Sequence, residues 1–263
     1  MKNSTENRIN TLFRIKKQNI LSVYFTAGYP RLEDTVEIIQ ALENAGADMV
    51  EIGIPFSDPT ADGPVIQHSN EVALKNGMTL KVLFQQLAHV RDKVKIPLLL
   101  MGYFNPVFRF GVEQFCRKCR ETGIDGVILP DLPPEEFSAT YKDYFKKNQL
   151  HHILLITPQT PDERIREIDR LSTGFIYMVS SASTTGSANK GSDSQSAYFE
   201  KVRQMELANP CLIGFNISDR LTFKNAGNYA AGGIIGSAFI RSFSREPVSK
   251  TIPAFIRGIL NKS

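Results

Sequence analysis

Cysteine is scarce in this chain: Cys116, Cys119 and Cys211 are the only three in 263 residues. The first two form a Cys-Arg-Lys-Cys pair, but no second pair exists to complete a zinc site or a disulfide framework. The pair falls within residues 112–122, whose apolar spacing reads as one helix face, so packed, reduced thiols are expected. No apolar run approaches the ~20 residues of a membrane span. The polar N-terminal residues lack the apolar segment of an export signal. These absences predict a soluble, cytoplasmic protein. Charge of one sign is lacking too, since 31 Lys and Arg against 27 Asp and Glu leave +4. The basic residues are scattered, with short pairs such as Lys16-Lys17 and Lys146-Lys147 and no basic stripe interleaved with aromatics. No nucleic-acid partner is expected. No nucleophile elbow, nucleotide P-loop or zinc signature occurs. His68, His89, His151 and His152 have no metal spacing and read as surface or packing residues.

What is present is a regular alternation. Short, near-continuously apolar runs at residues 21–25, 49–52, 97–102, 126–129, 152–156, 175–179, 211–215 and 232–235 read as strands buried on both faces. Between them, residues 32–45, 80–93, 111–123, 134–148, 162–171 and 194–205 carry helical periodicity, with Gly46 and Gly123 as helix stops. Parallel strands can be joined only through crossovers, so this alternation predicts an α/β fold with a parallel sheet. Eight strand–helix units in a chain of this length predict a (β/α)₈ TIM barrel, one domain spanning residues 1–263. An open dinucleotide-binding sheet would carry Gly-x-Gly-x-x-Gly after its first strand, and Thr26-Ala27-Gly28-Tyr29-Pro30 is not that. Residues 1–17 read as an extra N-terminal helix covering the barrel floor.

In such a barrel, functional groups gather at the C-terminal ends of the strands. The polar residues there are few: Thr26, Glu51, Tyr103, Asn105, Asp131, Tyr177, Ser180 and Asn216, with Gly236-Ser237 after the eighth strand. No lysine stands at a strand end, which argues against Schiff-base chemistry. Glu51 sits among Met49, Val50, Ile52 and Ile54, and alternation sends its side chain to the face opposite Val50 and Ile52. A carboxylate inside a barrel is costly unless paired or protonated. Asp62 lies in a Pro- and Gly-rich loop, residues 53–64. Pro55, Pro59 and Pro64 stiffen it, Gly53 and Gly63 offer hinges, and Ile54 and Phe56 are expected to be exposed at the mouth for a partner to cover. Two carboxylates in unlike surroundings can hold different protonation states, as acid–base chemistry at neutral pH requires. Gly186, the turn at residues 214–216 and Gly236-Ser237, before a short helix at residues 238–243, form a second constellation. Backbone N–H groups at such turns suit a phosphorylated ligand.

The segment Glu51-Ile52-Gly53-Ile54-Pro55-Phe56-Ser57-Asp58-Pro59-Thr60-Ala61-Asp62-Gly63-Pro64-Val65-Ile66-Gln67 closely resembles the signature of the tryptophan synthase α subunit family. The likeness continues through Phe25-Thr26-Ala27-Gly28-Tyr29-Pro30, the stretch 101–106, Asp131-Leu132-Pro133, Tyr177, Ser180, Thr185-Gly186 and Gly236-Ser237. It implies a lyase that splits indole-3-glycerol phosphate into indole and glyceraldehyde 3-phosphate. It implies Glu51 as the acid/base at indole C3 and the glycerol hydroxyl, and Asp62 as the stabiliser of charge at N1. Tyr24, Tyr103, Ile128 and Tyr177 match positions at the indole end of the pocket; Gly186, Asn216, Gly236 and Ser237 match phosphate-binding positions, and Thr185 is a further substrate-binding position. The resemblance implies no metal and no cofactor in this chain, pyridoxal phosphate belonging to a β subunit in an αββα heterotetramer. Three features depart from the family pattern: Thr60 in place of Leu, Asn216 where Gly is common, and residues 181–184 without the usual Arg and Gly-Val. From the residues alone, two other readings stay open: a different phosphosugar barrel enzyme, and a non-catalytic barrel that only activates a partner.

Overall fold

The computed structural model describes residues 6–60, 62–180, 191–243 and 248–260. Eight strands, β1 (Ile20–Thr26), β2 (Met49–Gly53), β3 (Leu98–Met101), β4 (Gly126–Ile128), β5 (His151–Ile156), β6 (Ile176–Val179), β7 (Cys211–Gly214) and β8 (Gly232–Ile235), run in sequence order. All neighbours pair in parallel, and β1 pairs with β8 to close the barrel. The predicted TIM barrel is the observed fold.

Alternation along each strand builds two cores. Leu21, Val23, Phe25, Val50, Ile52, Leu98 and Leu100 point outward under the helices. Ile20, Met49, Leu99, Ile128, Ile153, Leu212 and Ile234 point inward and fill the barrel. The floor is closed by helix Arg8–Ile15, whose Ile9, Leu12 and Phe13 are buried against this inner cluster. Asn7 caps that helix by accepting from Ile9 N at 2.9 Å, and its amide donates to the Asp125 carbonyl at 2.8 Å. Asp125 also receives Arg8 at 3.0 Å and Arg91 at 2.5 Å, which ties the floor helix to the base of β4.

The predicted helix stops at Gly46 and Gly123 are both left-handed, with φ of 102° and 75°. Four helices escaped the sequence reading: Pro64–Lys75, Phe104–Phe110, Arg220–Ala226 and Val248–Leu260. The first had a legible start in Pro64, which stands in the first turn. The third had a capping box at Asp219 and Thr222. The helix expected over residues 134–148 is interrupted by a π-helical turn, Phe137–Tyr141, where Phe137 and Phe145 close on His152 with ring centroids 3.9 and 5.6 Å away. His152 is a packing residue, and Cys116 and Cys119 are buried free thiols on helix Val112–Thr122.

Candidate active site

Glu51 stands on the inner face of β2, fully buried, opposite Tyr24 of β1 in the strand register. Its Oε1 accepts a hydrogen bond from Ser22 Oγ at 2.7 Å, and its Oε2 has no partner among the described residues. Burial raises its pKa from 4.5 to about 7, against the lowering pull of the Ser22 hydroxyl. The carboxyl therefore exchanges its proton near neutrality.

Asp62 approaches from the loop after β2. A turn closed by Asp62 N to the Pro59 carbonyl at 3.1 Å and the Gln67 amide on the Asp62 carbonyl at 2.8 Å fix its backbone. Its Oδ2 receives the Tyr103 hydroxyl at 3.4 Å, and burial raises its pKa to about 6. Burial thus raises both carboxyls above the usual carboxylate range, Glu51 on the barrel's inner face and Asp62 on the loop above it.

Three tyrosines surround them. Tyr24 and Tyr177 point into the barrel and are buried; burial and the neighbouring Glu51 and Asp62 charges push both phenols upward, so they remain neutral donors. Each ring lies against a glycine. A β-carbon at Gly53 would overlap the Tyr24 hydroxyl, and one at Gly214 would overlap the Tyr177 hydroxyl. Tyr103 is half-buried and stacks on Phe56 with centroids 5.1 Å apart. Ile128 is fully buried in the same inner layer.

The mouth beyond β7 and β8 is more open. Phe215 and Asn216 have φ of 65° and 57°, the left-handed region in which asparagine is tolerated best after glycine. Gly236 precedes helix Ser237–Ser242 with no side-chain cap, and both Gly236 and Ser237 are partly exposed. A β-carbon at Gly236 would meet Tyr24 at 3.4 Å, an ordinary contact, so the fold itself does not demand glycine there. Thr185 and Gly186, and the departing stretch 181–184, lie outside the described residues.

The expectation for Ile54 and Phe56 needs correcting. Ile54 is buried, because its N–H extends the ladder to the Met101 carbonyl at 2.7 Å and its side chain covers Gly102. Phe56 is half-buried on Tyr103. The exposed part of the loop is Ser57, Asp58, Thr60 and Pro64. Gly53 belongs to β2 and is wedged against Tyr24, a poor place for a hinge. Asp131 has a capping role, both oxygens accepting from Phe104 N at 2.9 and 3.0 Å. Sequence reasoning missed Ser22, whose only signal was a polar residue at an inward position of β1.

Comparisons with known proteins identify the family to which the chain belongs. A family model described as tryptophan synthase alpha chain matches residues 11–253. The chain is 55% identical to the tryptophan synthase alpha chain of Flavobacterium psychrophilum over 96% of its length and 99% of that protein. It is 56% identical to that of Flavobacterium johnsoniae, covering 93% and 96%. Among solved structures it superposes on tryptophan synthase subunit alpha from Legionella pneumophila with a TM-score of 0.87 at 31% identity, covering 97% of each chain. A chain of M. tuberculosis tryptophan synthase in an aminoacrylate-bound form gives 0.84 at 26% identity, covering 96% of this chain and 98% of that one. With the family match spanning most of the barrel and relatives above half identity over nearly the full length, the chain belongs to the tryptophan synthase alpha chain family.

Proposed function

We propose that Glu51 and Asp62 are the acid–base pair with which this family member cleaves indole-3-glycerol phosphate into indole and glyceraldehyde 3-phosphate, its lyase step in tryptophan biosynthesis. The observation that carries the reading is a fully buried Glu51 on β2 and a half-buried Asp62 on the loop that follows it, with pKa values raised to about 7 and about 6, at the C-terminal end of the barrel. Breaking the bond between indole C3 and the glycerol chain requires C3 to leave as a protonated, neutral ring carbon. Protonated Glu51 supplies that proton, giving a 3H-indolium ring that keeps its N1–H and whose positive charge centres on N1. Ionised Asp62 stabilises this charge. Glu51, now a carboxylate, takes the proton of the glycerol hydroxyl as the C–C bond breaks; the bond electrons restore the indole, and the carbonyl of the aldehyde forms. Glu51 ends as it began.

Tyr177 and Ile128 belong to the inner apolar layer and Tyr24 stands opposite Glu51; on this reading they are the residues that meet the indole ring, and Tyr103 donates to Asp62 beside them. The turns at Asn216 and Gly236-Ser237, together with Thr185 and Gly186, are the phosphate-side residues of this reading, which hold the substrate so that the carboxyls need not orient it alone. The chemistry uses protein carboxyls and takes no metal or cofactor in this chain. Pyridoxal phosphate belongs to the β subunit, the partner in an αββα heterotetramer, and the cytoplasm is the compartment. No helix among the described residues is long and apolar enough to cross a membrane. The test is indole release from indole-3-glycerol phosphate, alone and with a β subunit. Glu51→Gln and Asp62→Asn should each lose at least ~10²-fold in rate with substrate binding retained. Near-normal turnover by either variant would remove that residue from the mechanism.

A further inference from the structure

We infer that Ser22 is a positioning residue: its hydroxyl holds Glu51 Oε1, so that Oε2 is the oxygen that carries the working proton to substrate and back. The inference deepens the reading above and rests on Glu51 being the acid/base. Ser22 is fully buried on the inward face of β1, between the inward residues Ile20 and Tyr24. At that position a serine exposes no surface and fills little of the barrel, while its Oγ lies 2.7 Å from Glu51 Oε1. The partner oxygen, Oε2, is equally buried and has no hydrogen bond among the described residues. A buried carboxyl oxygen left bare is costly unless it bears the proton or meets a ligand.

The asymmetry has a chemical consequence. In the neutral acid, a carbonyl oxygen accepts and a hydroxyl oxygen donates. With Ser22 donating to Oε1, that oxygen is the acceptor and the proton resides on Oε2. The bond also fixes the carboxyl plane, since a glutamate has three side-chain torsions and packing alone constrains the last one poorly. A donor to a carboxylate favours the ionised form, so Ser22 opposes the upward push of burial on Glu51. It keeps the group able to give its proton up as well as to hold it.

The test compares Ser22→Ala and Ser22→Thr in the full-length protein, with kcat, KM and the pH dependence of kcat/KM for indole release. Ser22→Ala should lower kcat about tenfold with KM changed less than about twofold, and should move the alkaline limb to higher pH. Ser22→Thr keeps the hydroxyl and should restore both. In a Glu51→Gln background, Ser22→Ala should add no further loss, because its effect passes through the carboxyl. An unmoved limb, a loss confined to KM, or an equal loss in the Glu51→Gln background would overturn the positioning role. A fully active Glu51→Gln protein would instead overturn the underlying acid/base assignment, which separates the two failures. Should Ser22→Thr fold poorly, Ser22→Cys, a weak donor of similar size, should fall between serine and alanine in the position of the limb.

Discussion

The Tyr24 hydroxyl rests against Gly53, in the space that a β-carbon at position 53 would occupy. In the strand register Tyr24 lies opposite Glu51 and Gly53 opposite Thr26, so the contact runs diagonally across β1 and β2, two residues along β2 from Glu51. Gly53→Ala should therefore push the Tyr24 ring out of place, costing roughly 1–3 kcal/mol of stability. It should also lower kcat/KM by at least ~10-fold through displaced packing beside Glu51. Adding Tyr24→Phe removes the hydroxyl and should recover part of the lost stability. Strictly additive effects in that double variant, measured by denaturant unfolding, would show that the contact does not explain glycine at this position.

The two raised carboxyls set a pH profile. Asp62 works ionised, so kcat/KM should rise as pH passes about 6. Glu51 works protonated, so kcat/KM should fall as pH passes about 7. The substrate phosphate also titrates near pH 6, so the assignment of the acid limb depends on its disappearance from the residual activity of Asp62→Asn. A flat profile between roughly pH 5 and 8 would contradict both assignments.

Glu51 also links stability to pH. Its folded-state pKa is raised from 4.5 to about 7, so the folded chain binds this proton more tightly than the unfolded chain does. The resulting stabilisation is complete below the unfolded value and is lost as pH rises through about 7. Glu51→Gln does not titrate, so its stability relative to the parent should improve between about pH 4 and pH 8, by roughly 3 kcal/mol at most. Subtracting parent from variant cancels Asp62, which is common to both. A difference that stays constant with pH would mean that Glu51 titrates alike in the folded and unfolded chains.

At the other end of the barrel, Asp125 accepts from Arg91, Arg8 and Leu98 N while almost wholly buried. Removing the carboxylate strands a largely buried Arg91 and loosens the floor helix. Asp125→Ala should lose about 3–5 kcal/mol in denaturant unfolding, while the variant that remains folded keeps its kcat, since the mouth lies at the opposite end. Loss of kcat without loss of stability would place Asp125 in the catalytic path instead.

The period of the sequence was enough to read the barrel and the direction of its key side chain. Strands buried on both faces must be nearly all apolar, so a glutamate in β2 stood out, and alternation alone put it opposite Val50 and Ile52. The motif around Asp62 was equally legible because proline and glycine mark loops whatever surrounds them. The helices Phe104–Phe110 and Val248–Leu260 were not, since the first is short and the second carries Pro253 within it.

Tertiary structure alone decided what each of these groups touches. Period 2 tells which face of a strand a side chain takes, but the stagger between two strands is set by how the whole barrel closes. That stagger brings Ser22 to Glu51 across 29 residues of chain and seats Tyr24 on Gly53. It also buries Ile54, which composition had assigned to the exposed mouth, by continuing the ladder onto Met101. The raised pKa values of Glu51 and Asp62 belong to the same level, because desolvation depends on everything packed around a carboxyl and not on its neighbours in sequence.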